Sequence, residues 1–239
     1  MDGKGLVEHP GTHKVSFTGS VPTGIAVGRS AMGAGLTRAT LELGGKNAAG
    51  FLRDMDVDKA VDGIIEAGFL HSGQICAAAE RFFVQRSQID AVLEKLKALI
   101  SHLTIGSPLD EHTDFGPVTH QQHQHKLLGY FNQARAENNT IIHGGHPIAT
   151  FLPYDDEDEL LAMMNHGPYG LSASLWTNDL GKALRMIPAI KAGTLWVNMH
   201  TLLDPAVPFG GSRSSGLGRE FGSAFIEDYT ELKSVMIRY

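Results

Sequence analysis

Between Lys14 and Asn198, short β-branched or aromatic runs alternate with stretches of helical spacing, a rhythm that few folds can accommodate. Lys14-Val15-Ser16-Phe17 reads as a strand, Thr18-Gly19-Ser20 as the turn that ends it, and Ile25 to Met32 as a helix. A second strand is expected over Ala39 to Leu43, broken by Gly44-Gly45. Val57, Ala60, Val61, Ile64, Ile65 and Gly68 then share a helical face behind Asp54 and Asp56, two candidate N-terminal caps. Arg81 to Gln85 reads as a strand. Ser87 with Asp90 suggests a capping-box start for a helix carrying Val92, Leu96, Leu99, Ile100 and Leu103. Further on, a polar helix is expected around Gln121 to Glu137 and a strand at Thr140-Ile141-Ile142. The alternation continues with helix Asp156 to Met164, strand Leu171 to Trp176, helix Asp179 to Ile190 and strand Thr194 to Asn198. Strands joined through helices pair in parallel and bury both sheet faces, so the expected class is α/β, a mostly parallel sheet with helices on both faces. Ser234 to Tyr239 reads as a terminal strand, and such an edge needs a partner, which points to a homo-oligomer.

Twenty basic against 26 acidic side chains leave a formal charge of -6, which argues against a nucleic-acid partner. No apolar run approaches the roughly 20 residues that span a bilayer, so no membrane partner is expected. The start, Met1-Asp2-Gly3-Lys4-Gly5, lacks the apolar core of a signal peptide, and a cytoplasmic location is expected. His120, His123 and His125 are spaced as an exposed polar helix face without a second ligand cluster, so no metal is expected. Trp176 and Trp196 read as core aromatics, and the acidic run Asp155 to Glu159 as a solvated, dipole-favourable helix start.

Cys76 is the single cysteine, so it cannot form an intrachain disulfide, and any chemistry it has is nucleophilic or redox. Taken alone, a free cysteine is most often a small buried hydrophobe, and a lone strand-end glutamate such as Glu42 is a surface ion-pair partner. Their contexts, Phe69-Leu70-His71-Ser72-Gly73-Gln74-Ile75-Cys76 and Leu41-Glu42-Leu43-Gly44-Gly45-Lys46, carry more. With Phe17-Thr18-Gly19-Ser20-Val21-Pro22-Thr23-Gly24 before them, and Tyr169 to Ala173, Ala192 to Asn198 and Pro208-Phe209-Gly210-Gly211 after them, they follow one order. That order resembles the aldehyde dehydrogenase superfamily, with the stretch Asn198 to Asp204 similar to phenylacetaldehyde-type members.

The resemblance implies a catalytic-domain-like α/β fold with a truncated cofactor domain. Residues 1–44 would be the remnant of the dinucleotide-binding domain, 45–214 the catalytic domain, and 215–239 a return helix and an oligomerisation strand. It implies oxidation of a small-molecule aldehyde to a carboxylic acid with NAD (or NADP), Cys76 acting as nucleophile and Glu42 as the base that activates water. The Cys76 backbone N–H is the remaining oxyanion donor. Gly19, Ser20, Gly24, Leu43 and Gly44 would contact the cofactor, and Asn198 and Phe209 would flank the substrate.

Three departures qualify this. Members carry a long portion before the Thr18-Gly19-Ser20 turn, and a Glu-Xaa-Phe-Gly-Pro segment between the positions of Ala149 and Phe151, where this chain has only Thr150. His71 stands where members have asparagine. These departures keep two alternatives open: a catalytically impaired fragment or pseudoenzyme acting as an oligomer subunit, and a relic with cofactor-independent esterase activity.

Overall fold

Two sheets organise the chain in the computed structural model, which describes residues 3–143 and 149–239. In order, the elements are α1 (Gly3–Val7), β1 (Lys14–Gly19), α2 (Val21–Gly35), β2 (Arg38–Leu43), β3 (Asn47–Phe51), α3 (Val57–Gly68), β4 (Ala79–Gln85) and α4 (Ile89–Ile100). There follow α5 (Gln121–Ala136), β5 (Thr150–Tyr154), α6 (Glu157–Met164), β6 (Ser172–Trp176), α7 (Leu180–Met186), β7 (Thr194–Val197), β8 (Gly216–Leu217) and α8 (Phe225–Tyr229). One sheet has five strands in the order β5-β4-β3-β6-β7, every pair parallel. The other has three, β1-β2-β8, with β1 and β2 parallel and β8 antiparallel to β2. The α/β expectation is met. Among the described residues no helix is long and apolar enough to cross a membrane.

The central strand, β3, escapes sequence reading. Its residues, Asn47-Ala48-Ala49-Gly50-Phe51, carry almost none of the β-branched signal that marks a strand. Their smallness is what the position needs, because helices press on both faces. Ala49 and Phe51 join one apolar cluster with Ile64 of α3 and Leu96 of α4, while Ala48 joins the opposite cluster with Leu160 of α6 and Met186 of α7. At Gly50 an added Cβ would meet the Met164 sulfur at 3.2 Å and Leu175 at 3.3 Å. The same closeness governs Gly63 on α3, where a Cβ would sit 2.7 Å from the Trp176 ring that stacks on Phe51. Gly63→Ala is therefore expected to destabilise the fold by about 1–2 kcal/mol, overpacking outweighing the better helix propensity of alanine. Thermal unfolding should show a midpoint lowered by roughly 2–4 °C per kcal/mol.

Four expectations need correction. Thr140 to Ile142 form no strand, because the edge beside β4 is taken by Thr150 to Tyr154, in register Arg81 to Gln85. Ser87 does not cap α4: its N–H and hydroxyl both turn back to the Gln85 side-chain oxygen, leaving Gln88 at the cap without a side-chain bond. Of the two aspartates before α3, Asp56 caps the helix, whereas the Asp54 carboxylate accepts bonds from Thr177 Oγ1 and the N–H groups of Asn178 and Asp179, tying β3 to the end of β6. Ser234 to Tyr239 form no strand and pair with neither sheet, and Val235, Met236 and Ile237 are exposed.

Candidate active site

After α3 the chain passes through a left-handed turn in which His71, Ser72 and Gly73 have φ of 53°, 55° and 72°. Three successive residues of this kind reverse the backbone and carry Gln74 to Cys76 to the surface before β4 begins. A left-handed conformation costs a non-glycine residue about 1–2 kcal/mol, and asparagine and histidine tolerate it better than most. His71 in place of asparagine thus keeps the turn. Cys76 itself is exposed. The protein packed around its sulfur still raises the thiol pKa, the N–H of Ala77 lowers it, the charge of Glu42 raises it again, and the N–H of Cys76 pulls it down. Two amides facing one sulfur are also suited to an oxyanion formed there.

Glu42 lies on β2 opposite Gly216 of β8 and beside Thr18 of β1, and is 5% exposed. Neither carboxylate oxygen has a hydrogen-bond partner among the described residues. Only glycine fits next to it: a Cβ on Gly210 would lie 2.5 Å from Oε1. Burial raises the Glu42 pKa to about 7, with Arg219 opposing, Glu220 reinforcing and the nearby Gly211 amide lowering it slightly. A carboxylate with that pKa can take a proton from water near neutrality and give it up again. Glu42 sits in the three-stranded sheet and Cys76 in the turn just before β4 of the other sheet, yet the carboxylate charge reaches the sulfur.

The five residues expected to meet a cofactor gather at one place. Gly19 and Leu43 are register partners at the carboxyl ends of β1 and β2, Ser20 caps α2, and a Cβ on Gly24 would lie 2.4 Å from Leu43 Cδ2. A Cβ on Gly44 would meet nothing within 4 Å. The carboxyl edge of parallel strands against a helix N-terminus is where open α/β sheets take phosphate-bearing ligands, and the Ser20 hydroxyl supplies a donor. The donor set therefore fits a dinucleotide pyrophosphate.

The two expected substrate residues part company. Phe209 is buried in a cluster with Ala77, Leu171 and Trp196, against the residue after Cys76, and its backbone pairs with Glu220. Asn198 instead spends its side chain on β6, accepting from Thr177 N–H and donating to Thr177 O, both at 2.8 Å. Trp176 and Trp196 are buried core aromatics. His120 caps α5, its Nδ1 accepting from His123 N–H, and no cluster of three metal-binding side chains occurs among the described residues. A cavity of about 750 Å³ lined by Lys46, Gly73, Gln74, Phe115 and Tyr130 lies beside the cysteine loop but is lined by neither Cys76 nor Glu42.

Sequence reading missed Asn47, Arg219, Glu220 and His200. Asn47 Nδ2 donates to the carbonyls of Cys76 and Ala78 at 2.7 and 2.9 Å, and its Oδ1 accepts from Ser172 N–H. Arg219 and Glu220 stand in the Ser214 to Glu220 loop and set the charge around Glu42. The one available signal was the polarity of Asn47 at the head of an otherwise apolar run.

The α/β fold thus carries an exposed thiol, a buried carboxylate with a pKa of about 7, and a helix N-terminus at the carboxyl ends of two parallel strands. The sequence model of the aldehyde dehydrogenase family matches residues 2–147 and 146–235 in two pieces. The chain belongs to the aldehyde dehydrogenase family. It is 37% identical over 265 residues to a betaine aldehyde dehydrogenase of Rhizobium leguminosarum, covering 97% of this chain and 54% of that protein. It is 35% identical over 269 residues to a phenylacetaldehyde dehydrogenase of Pseudomonas fluorescens, covering 99% and 53%. The solved NAD+ complex of an aldehyde dehydrogenase from Bacillus cereus superposes with a TM-score of 0.94 at 32% identity, covering 98% of this chain and 53% of that one. The chain spans about half the length of these relatives. Both sequence matches run longer than the 239 residues of this chain, and the two family segments meet at 146–147, so the relatives hold residues inside the matched span that this chain lacks.

Proposed function

We propose that the chain oxidises an aldehyde to a carboxylic acid with NAD or NADP, through covalent catalysis at Cys76 and water activation by Glu42. The observation that carries this reading is the pairing of a buried, unpartnered carboxylate, its pKa near 7, with the single thiol its charge reaches. The Cys76 thiolate adds to the aldehyde carbonyl, and the N–H groups of Cys76 and Ala77 steady the oxyanion. A nicotinamide dinucleotide, when bound, supplies the hydride acceptor, and Ser20 with the N-terminus of α2 would hold its pyrophosphate. Glu42 then takes a proton from water, whose oxygen attacks the thioester carbon and releases the acid from Cys76. Phe209 supports the wall behind the thiol.

Residues 1–44 are proposed as the remaining part of the cofactor domain, 45–214 as the catalytic domain, and the exposed apolar stretch within 215–239 as a pairing surface for a second copy. A reducing, cytoplasmic setting suits chemistry that needs a free thiol. Aldehyde-dependent NADH formation, measured with one aliphatic and one aromatic aldehyde, tests the reading. No aldehyde-dependent signal at saturating cofactor would contradict it. The half-length coverage favours a second reading, in which Cys76 still forms an acyl enzyme from an activated ester without cofactor. One equivalent of leaving group released in a burst, with no NADH from aldehyde, would select that reading.

A further inference from the structure

The peptide units on either side of Ala77 are held by side chains from elsewhere in the fold. The Cys76 carbonyl accepts from Asn47 Nδ2 at 2.7 Å, and because the peptide is planar this also fixes the direction of the Ala77 N–H. The Ala77 carbonyl accepts twice, from Ser172 Oγ at 2.9 Å and from His200 Nε2 at 2.8 Å. His200 is 1% exposed, and its bonding permits a single tautomer. A carbonyl can only accept, so Nε2 carries the proton, and Nδ1 accepts from the Ser174 hydroxyl at 2.8 Å, which in turn accepts from Trp176 Nε1. The backbone N–H of His200 is tied to Glu66 Oε1 on α3 at 2.7 Å, and the ring packs on Trp196 at 4.7 Å. Getting the ring there strains the chain after β7: Asn198 and the β-branched Thr201 have φ of 54° and 61°. Two such residues bracketing one buried histidine mark a segment bent for the sake of that ring.

We propose that His200 is a positioning residue for the nucleophile: by holding the Ala77 carbonyl it fixes the peptide that follows Ala77, as Asn47 fixes the one before it, and the two together keep the Ala77 N–H aimed at the Cys76 sulfur. The proposal rests on Cys76 as nucleophile, but its test reads the sulfur and not turnover, so a chain that oxidises no aldehyde still answers it. Burial keeps His200 neutral, its pKa lowered to about 4, so it holds the same tautomer through the neutral range. The charge acting on the thiol is that of Glu42, which His200 leaves in place.

Because Cys76 is the single cysteine, its alkylation by iodoacetamide as a function of pH reports this site alone. In His200→Ala, release of the peptide after Ala77 should let the Ala77 N–H turn away from the sulfur, raising the apparent thiol pKa by about one unit and slowing alkylation at pH 8 about tenfold, the size expected for one hydrogen bond to a thiolate. His200→Gln, whose amide can donate to Ala77 and accept from Ser174, should stay within about threefold of the wild type. A folded His200→Ala protein, judged by circular dichroism, with an unchanged alkylation profile would overturn the proposal. Should that variant fail to fold, Ser174→Ala decides the matter: it removes the bond that orients the ring and should slow alkylation about threefold, and no change would equally overturn it.

Discussion

Glu42→Gln should uncouple the two halves of the reaction. Acyl transfer to Cys76 should persist, while release of the acid should slow by about 10²–10⁴, the usual contribution of a positioned general base. The rate of acid release in the wild type should rise with pH through about 7, where the carboxylate loses its proton, and that limb should vanish in the variant. The same substitution should stabilise the fold at alkaline pH. The native state raises the Glu42 pKa from 4.5 to about 7, so it favours the protonated form. That preference contributes fully below pH 4.5 and is lost as pH rises through 7, where a charge must stand buried without a partner. A permanently neutral glutamine avoids this, for a gain of about 2–3 kcal/mol at pH 8 and little at pH 4. Urea unfolding of both proteins at the two pH values checks it.

Cys76→Ala should remove both NADH formation from aldehyde and the acyl burst from an activated ester, down to the uncatalysed background. No other described residue can replace the sulfur, since the nearby Ser72 donates its hydroxyl to the Gly116 carbonyl and Ser172 donates its own to the Ala77 carbonyl. Because Cys76 is exposed, the loss should come without a loss of fold: stability should stay within about 0.5 kcal/mol of the wild type. Activity lost together with the cooperative unfolding transition would mean that the cysteine holds the structure up instead.

How far the sequence alone reaches depends on whether a signal is local. The runs Lys14 to Phe17, Ala39 to Leu43, Leu171 to Trp176 and Thr194 to Asn198 each announce a strand through β-branched or aromatic content, and each became one. β3 could not be read because its selection is for smallness between two layers of helices, a demand that exists only once Trp176, Leu160 and Met164 arrive from later in the chain. The isoleucines of Thr140 to Ile142 mimic a strand, whereas the edge beside β4 is filled by Thr150 to Tyr154, which reaches Phe82 with the ring of Phe151. In the site, Cys76 and Glu42 stood out through their flanking glycines. Arg219 and Glu220, which tune Glu42, lie more than 170 residues from it in the chain, and His200 reaches Ala77 across more than 120. Nothing in the local pattern of a charged loop or a histidine after a strand specifies such a partner.

The central claim is that Glu42 and Cys76 act in one electrostatic environment. Alkylation of Cys76 across pH 5 to 10 in the wild type and in Glu42→Gln tests this most directly, with no need for cofactor or aldehyde. The carboxylate charge raises the thiol pKa, so its removal should lower that pKa and speed alkylation at pH 8, even as acid release slows. Superimposable alkylation profiles for the two proteins would place the carboxylate outside the reach of the sulfur and contradict the account.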